Sequence, residues 1–253
     1  MDIIISVFNE VLYRPLFNAL IWLYNIIPGQ DLGVAIIALT ILIRFILYPL
    51  SRKSIQSQKA ISKLQPQIKE IQKKYQDKEE QARQTMALYR KYKVNPMSGC
   101  LPILIQLPIL IALYRVFFTG LDPEKLNGLY SFISQPESLN FVFLGIVDLS
   151  QRSIILALLA GFFQFIQSKM IMPKLKQKQG IRAGGFDFSS MMNQQMLYFM
   201  PLITIFIAWN LPAALPLYWI VITLFGIVQQ YFTETEAEEG GKDNFKKPLW
   251  SKQ

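Results

Sequence analysis

The sequence predicts an all-α membrane protein: five transmembrane helices with the N-terminus outside and the C-terminus inside, a cytoplasmic antiparallel helical hairpin, and an N-terminal interfacial helix. Three observations predict it. Apolar residues make up 52% of the 253, and they are gathered into blocks rather than spread along the chain. Several blocks approach the roughly 20 residues needed to cross a bilayer core. The net charge of +9 is concentrated between blocks in two basic loops, which the positive-inside rule places in the cytoplasm. Five spans with the N-terminus out satisfy both loops at once.

Residues 1–30 are expected to form the interfacial amphipathic helix. The stretch IIISVFNEVLYRPLFNALIWLYNII is apolar, but Glu10, Arg14 and Asn18 recur every four residues and make a polar stripe among Phe, Trp and Tyr. A spanning helix here remains open. No basic n-region or cleavage site marks a signal peptide. Pro28-Gly29-Gln30 turns the chain into the first span, 31–51.

That span, LGVAIIALTILIRFILYPL, carries one full charge, Arg44. At mid-depth such a charge costs roughly 2.5–3.5 kcal/mol against about 0.3–0.6 kcal/mol gained per aliphatic residue, so the helix can insert although the arginine opposes it. Gly33, Ile37, Thr40, Arg44 and Tyr48 share its smallest and most polar face. Arg44 either snorkels to head groups or is held in a wet cavity between helices.

Residues 52–94 are rich in Lys and Arg. Ile61, Leu64, Ile68, Ile71 and Tyr75 nevertheless step as a heptad ladder, continued by Ala82, Met86 and Tyr89 beyond Gln76-Asp77-Lys78. Two antiparallel helices joined at that turn are expected, with a kink at Pro66. The stretch 95–233 holds spans two to five at about 99–119, 153–172, 195–211 and 213–233. An apolar segment at 139–149 is too short to span and is placed at the outer interface. The second basic loop, with Lys169, Lys174, Lys176, Lys178 and Arg182, joins spans three and four. The tail, 234–253, has the composition of a disordered segment.

Four spans carry polar side chains at helical spacing: Thr40 and Arg44; Gln106; Gln164 and Gln167; and Trp219, Thr223 and Gln230. Any one of these alone reads as interhelical glue. Glue accounts poorly for Arg44, because no acidic residue lies at matching depth in the other spans. Water in a cavity open to the cytoplasm satisfies it better, and such a cavity could receive polar parts of another molecule. The absence of histidine removes imidazole acid/base catalysis and zinc-motif chemistry. The single Cys100 excludes an internal disulfide framework, and no phosphate-cradling GxxxxGK[ST] loop is present. No enzyme activity, cofactor or metal is expected, and DNA is not an expected partner.

RFILYPLSRKS, LQPQIKEIQKKYQDK, MALYRKYKVNPMSGCLPILIQLPILIALYRVF, FIQSKM and MPLITIFIAWNLPAALPLYWIV with its closing IVQQYF resemble the YidC family of membrane protein insertases over about 12–232. The NPMSGCLP block followed by Q-x-P is the most specific of these. The resemblance implies a multi-pass protein of the cell membrane that accepts nascent membrane proteins in a hydrophilic groove open to cytoplasm and lipid, alone or with the Sec translocon. In that groove Arg44 attracts the polar, often acidic, segment to be moved, with Gln167 and Trp219 among the lining residues. The sequence shows neither the large periplasmic domain of many diderm members nor the lipid-modified N-terminal cysteine of many monoderm ones. Its tail is not the long basic extension with which some members hold ribosomes. The basic hairpin, through Lys59, Lys63, Lys73, Lys74, Lys78 and Arg83, is therefore the expected contact to ribosome and translocon. A small-solute transporter is the alternative, but paired repeats with broken helices in matching positions are not visible.

Overall fold

The computed structural model describes residues 2–95, 97, 101–120, 128–171 and 188–240. Cys100, the second basic loop beyond Ile171 and the end of the tail lie outside the described residues.

Helix α1 (Asp2–Phe8), a π turn (Asn9–Tyr13) and α2 (Arg14–Ile26) follow without a break in helical conformation. Pro15 accounts for the wide turn, since its ring would strike the carbonyl one α-turn back. Ile27 is extended ahead of Pro28, and Gly29 and Gln30 take positive φ of 85° and 47° to turn the chain. Asp31 then caps α3 (Leu32–Ile46), its Oδ1 accepting from the amides of Gly33 and Val34 at 2.7 and 3.1 Å. The helix stops short of the expected end at residue 51. Pro49 cannot donate to the ladder, so α4 (Tyr48–Lys74) starts anew with the proline in its first turn, where no donor is needed.

Helix α5 (Lys78–Lys91) begins where Asp77 accepts from the amides of Glu79 and Glu80. Next come α6 (Leu101–Arg115) with a π turn (Val116–Gly120), strands β1 (Val142–Phe143) and β2 (Val147–Asp148), then α7 (Ile154–Ile171), α8 (Phe188–Trp209) and α9 (Ala214–Gly240). The antiparallel strands add a β element to the expected all-helical chain. Among the described residues, Ile3–Ile26, Ile154–Ile171 and Ala214–Thr233 are long and apolar enough to cross a membrane, or four spans if α3 and α4 count as one broken span. Leu104–Phe118 and Leu197–Trp209 are apolar but shorter. The N-terminal stretch thus has the length and composition of a span, and its interfacial placement rests on the polar stripe alone. That stripe is only partly a surface feature. Arg14 pairs with Glu10 at 3.2 Å, but Asn18 is buried, donating to the Gly128 carbonyl at 3.0 Å and accepting from the Tyr130 amide at 2.6 Å.

The chain divides into two compact units. The first comprises Met1–Leu47, Ile103–Gln164 and Pro201–Phe225. Its core gathers Phe17, Leu20, Ile21 and Tyr24 of α2, Leu32, Ala35, Ile36 and Leu39 of α3, Leu113 of α6 and Leu217 and Tyr218 of α9. Small residues set the closest approaches. Gly161 of α7 faces Ile205 of α8, and the Phe143 ring lies over Gly33, places where any added Cβ would collide.

The second unit comprises Tyr48–Pro102, Phe165–Met200 and Gly226–Gln253. Within it α4 and α5 share a small core of Leu64, Ile68, Ile71 and Leu88, with Tyr75, Tyr89, Tyr92 and Val94 around it. Of the ladder on α4, Leu64, Ile68, Ile71 and Tyr75 lie where the heptads put them, and Ile61 falls outside this core. On α5 the packed face is Gln81, Thr85, Leu88, Tyr89 and Tyr92, so that of the expected Ala82, Met86 and Tyr89 the first two are exposed and Tyr89 packs. The non-helical break before Asp77 resets the helical phase, so the count cannot be carried across it. Gln81 fastens the turn by donating to the Tyr75 and Gln72 carbonyls at 2.6 and 3.2 Å. Pro66 stands on the exposed side of an α4 that continues past it.

Candidate functional site

In the first unit the polar side chains fall into two kinds. Thr40, buried on α3, turns its hydroxyl back to the Ile36 carbonyl at 2.6 Å. Thr223 of α9 does the same to Trp219 at 2.8 Å. Gln164 of α7 accepts from the Thr204 hydroxyl of α8 at 2.6 Å. These groups are satisfied within their own helix or by one neighbour, as interhelical and intrahelical polar bonds in membrane bundles are.

Arg44 is different. It is half-buried one turn beyond Thr40, and among the described residues it has neither a carboxylate partner nor a hydrogen bond. A titratable group that it interacts with electrostatically is the phenol of Tyr218, itself buried at 2% exposure. Gln106 of α6 donates its amide to that hydroxyl. Helices α3 and α9 also meet here through the edge-to-face pair Phe45–Phe225, with centroids 5.6 Å apart. Trp219, next to Tyr218, is partly buried against the same core. A guanidinium, a phenol and an amide from three helices therefore come together, and among the described residues no acid neutralises the guanidinium. A cation so placed in low dielectric attracts an incoming carboxylate far more strongly than one in water does.

Gln167 and Gln230 belong to the second unit. The Gln167 amide packs on Gly226 of α9, whose missing Cβ makes room for it. Gln230 is buried, its side-chain Oε1 has no hydrogen-bond partner, and its backbone carbonyl accepts from Lys59 Nζ at 3.3 Å. Its neighbour Gln229 is the better-connected residue. Gln229 donates to Ser51 Oγ at 2.7 Å and to the Tyr48 carbonyl at 3.3 Å, and so clasps the start of α4 to α9. Of the basic hairpin residues, Lys63, Lys73, Lys74, Lys78 and Arg83 are exposed, and Lys59 is half-buried against α9.

Tyr218, Gln229, Ser51 and Thr204 were not among the expected site residues. Tyr218 sits one position off the polar face counted through Trp219, Thr223 and Gln230. Its one signal was a phenol in the apolar first half of the span.

Comparison with known proteins agrees with the motif resemblance. The family described as "60Kd inner membrane protein" matches residues 22–240. A protein of Fusobacterium nucleatum named "Membrane protein insertase YidC" is 37% identical over 203 residues, which are 80% of this chain and 85% of that one. One of the same name from Clostridium perfringens is 39% identical over 81% of this chain and 79% of its own. "Membrane protein insertase MisCA" of Bacillus subtilis is 37% identical over 81% of this chain and 71% of its own. The crystal structure of an active YidC insertase, with its first transmembrane domain resolved, superposes with a TM-score of 0.57 at 28% identity. That match covers 91% of this chain and half of the crystallised one. The chain belongs to the 60Kd inner membrane protein family, that of the YidC insertases.

Proposed function

We propose that this protein is a membrane protein insertase: it receives nascent membrane proteins and lowers the barrier for moving short hydrophilic segments across the bilayer. The single observation carrying the proposal is Arg44, a half-buried cation in an apolar helix with no acidic partner among the described residues. An acidic segment supplies the missing charge, and Tyr218 and Gln106 offer it polar company. A polar recess that extends part of the way into the bilayer shortens the apolar distance such a segment must cross. The apolar helix that follows leaves sideways into lipid, so no pore is needed, and no covalent step or cofactor enters.

Five spans, N-terminus outside, and a cytoplasmic hairpin fit this reading. The recess is lined by Thr40, Arg44, Gln106, Gln164, Trp219 and Thr223, with Gln167 and Gln230 further along the same helices. Arg44 supplies its field, Gln164 ties α7 to α8 through Thr204, and the Thr40 and Thr223 hydroxyls are spent on carbonyls of their own helices. The exposed Lys63, Lys73, Lys74, Lys78 and Arg83 suit contact with ribosomal RNA or the acidic faces of a translocon. Lys59, engaged with α9, is better placed to hold the hairpin than to meet a partner.

The test is reconstitution of the purified protein in liposomes with one small single-span client. Insertion of the client without leakage of trapped solute supports an insertase. Solute flux with no insertion overturns it in favour of a transporter.

A further inference from the structure

The short β-hairpin of the first unit is apolar on both faces at its tip. Phe141, Phe143 and Val147 pack on the core beneath it. The opposite face carries Val142, Leu144 and Ile146, which are 42%, 64% and 83% exposed, with Asp148 beside Val142 at its base. A two-stranded sheet with one face in water normally alternates apolar with polar side chains, and toward its tip this one does not.

The turn makes the point independently. The Ile146 amide donates to the Phe143 carbonyl at 3.0 Å, and both residues between them have positive φ, Leu144 at 51° and Gly145 at 73°. Asn, Asp or Gly usually fills such positions. A leucine there is strained and also exposed, so turn geometry does not explain its side chain.

The hairpin hangs at helix ends. The Leu144 amide donates at 2.8 Å to Oδ2 of Asp31, the residue that caps α3. The Leu149 and Gln151 carbonyls accept from Ala214 and Ala213 at the start of α9, at 3.1 and 2.8 Å. Helix α8, which ends at that same turn, exposes Phe206 and Trp209 by 68% and 53%. Charge is confined to the hairpin's base, where the Ser150 amide and hydroxyl hold the Asp148 carboxyl below its ordinary pKa.

We propose that the tip formed by Leu144 and Ile146 is a lipid-contacting surface, seated in the head-group and upper acyl region where α3 begins, and that it anchors the start of that helix to the membrane. Lipid is the occupant because the tip is apolar and uncharged and is tied to helix ends whose flanks are themselves apolar and exposed.

The test places a cysteine at Ile146 in a Cys100→Ser background, labels it with an environment-sensitive fluorophore, and reconstitutes the full chain in liposomes. Glu137, exposed and polar, is the control site. The label at 146 should emit further to the blue than at 137, be quenched several-fold more by lipid carrying a shallow nitroxide, and several-fold less by aqueous iodide. Leu144→Asn suits the left-handed turn and so keeps the fold, yet should lower the lipid quenching at 146. Equal iodide quenching at 146 and 137 overturns the proposal. So does shielding that appears only when a client is being inserted, which would make the partner the client.

Discussion

Polar side chains mostly join pieces of chain in both units, but the first unit also holds a charge that joins nothing among the described residues. In the second unit, Gln229 meets Ser51 and the Tyr48 carbonyl, Lys59 meets the Gln230 carbonyl, and Gln81 closes the hairpin turn. There, polar groups join pieces of chain. In the first unit, Arg44 stands with a phenol and an amide nearby and no acid among the described residues. A buried polar group that is matched stabilises by about 0.5–1.5 kcal/mol, whereas an unmatched one costs about 1–3 kcal/mol and more if charged. A protein that keeps the unmatched one in its membrane bundle gives up stability at that point, and the proposed incoming acidic segment is what recovers it. The difference separates polar residues that build the molecule from those open to another.

The largest effect should come from breaking the second unit's own small core. Leu64, Ile68, Ile71 and Leu88 are nearly all that α4 and α5 bury together. Replacing both Ile68 and Ile71 with Asp removes roughly 2–5 kcal/mol of packing per site and adds the cost of burying carboxylates. The hairpin should unfold, read as rapid proteolysis within 52–94, while the protein stays in the membrane. Unchanged protease resistance would show that the core does not hold the hairpin.

The next effect sharpens the other side. If Arg44 only snorkels, Arg44→Ala should be neutral or stabilising. If it is the attracting charge, Ala should leave folding intact and impair acidic clients, Lys should keep much of the activity, and Glu should be worse than Ala because the field is reversed. A tenfold loss corresponds to about 1.4 kcal/mol, which a part-buried charge can readily supply. The measurement is insertion of one client in acidic and neutralised forms, and equal activity of all three variants on the acidic form would end the groove-charge reading.

How much of this was legible follows from which signals are local. The block structure, the hairpin turn at Asp77 and the oddity of Arg44 are properties of a few neighbouring residues, and each could be read directly. The end of α3 at Ile46 was missed because the apolar run continues through Leu50, although Pro49 was the visible warning. Ala82 and Met86 of the expected α5 face are exposed, although Tyr89 packs, because a heptad count has no meaning across a non-helical break. Tyr218 and Gln229 are legible only with partners from distant sequence, Gln106 in one case and Ser51 in the other. The strands were hidden because a short apolar run fits strand, buried helix or interface equally well.

A smaller effect tests the clasp. Gln229 and Gln230 are adjacent and both buried, but one is bonded and the other has an orphaned Oε1. Gln229→Leu leaves Ser51 and the Tyr48 carbonyl without that partner and should cost about 1–3 kcal/mol, visible as a lower thermal midpoint in detergent. Gln230→Leu removes an unmatched polar atom and should be neutral or stabilising. Equal losses from the two would mean that the hydrogen bonds of Gln229 do not matter.

The smallest effect is the most discriminating for the site. The hydroxyls of Thr40 and Thr223 already bond carbonyls of their own helices, and those carbonyls keep their helical amides when the hydroxyl goes. Valine preserves the branched shape, so Thr40→Val and Thr223→Val should each cost under about 1 kcal/mol of stability. They should also leave the ratio of acidic to neutral client insertion unchanged. Gln106→Leu should lower that ratio, because it strips the Tyr218 hydroxyl of its partner beside Arg44. A drop with Thr40→Val as large as that with Arg44→Ala would mean that the recess runs along α3 and that Thr40 faces the client. The same ratio unchanged by Gln106→Leu would leave Arg44 acting alone.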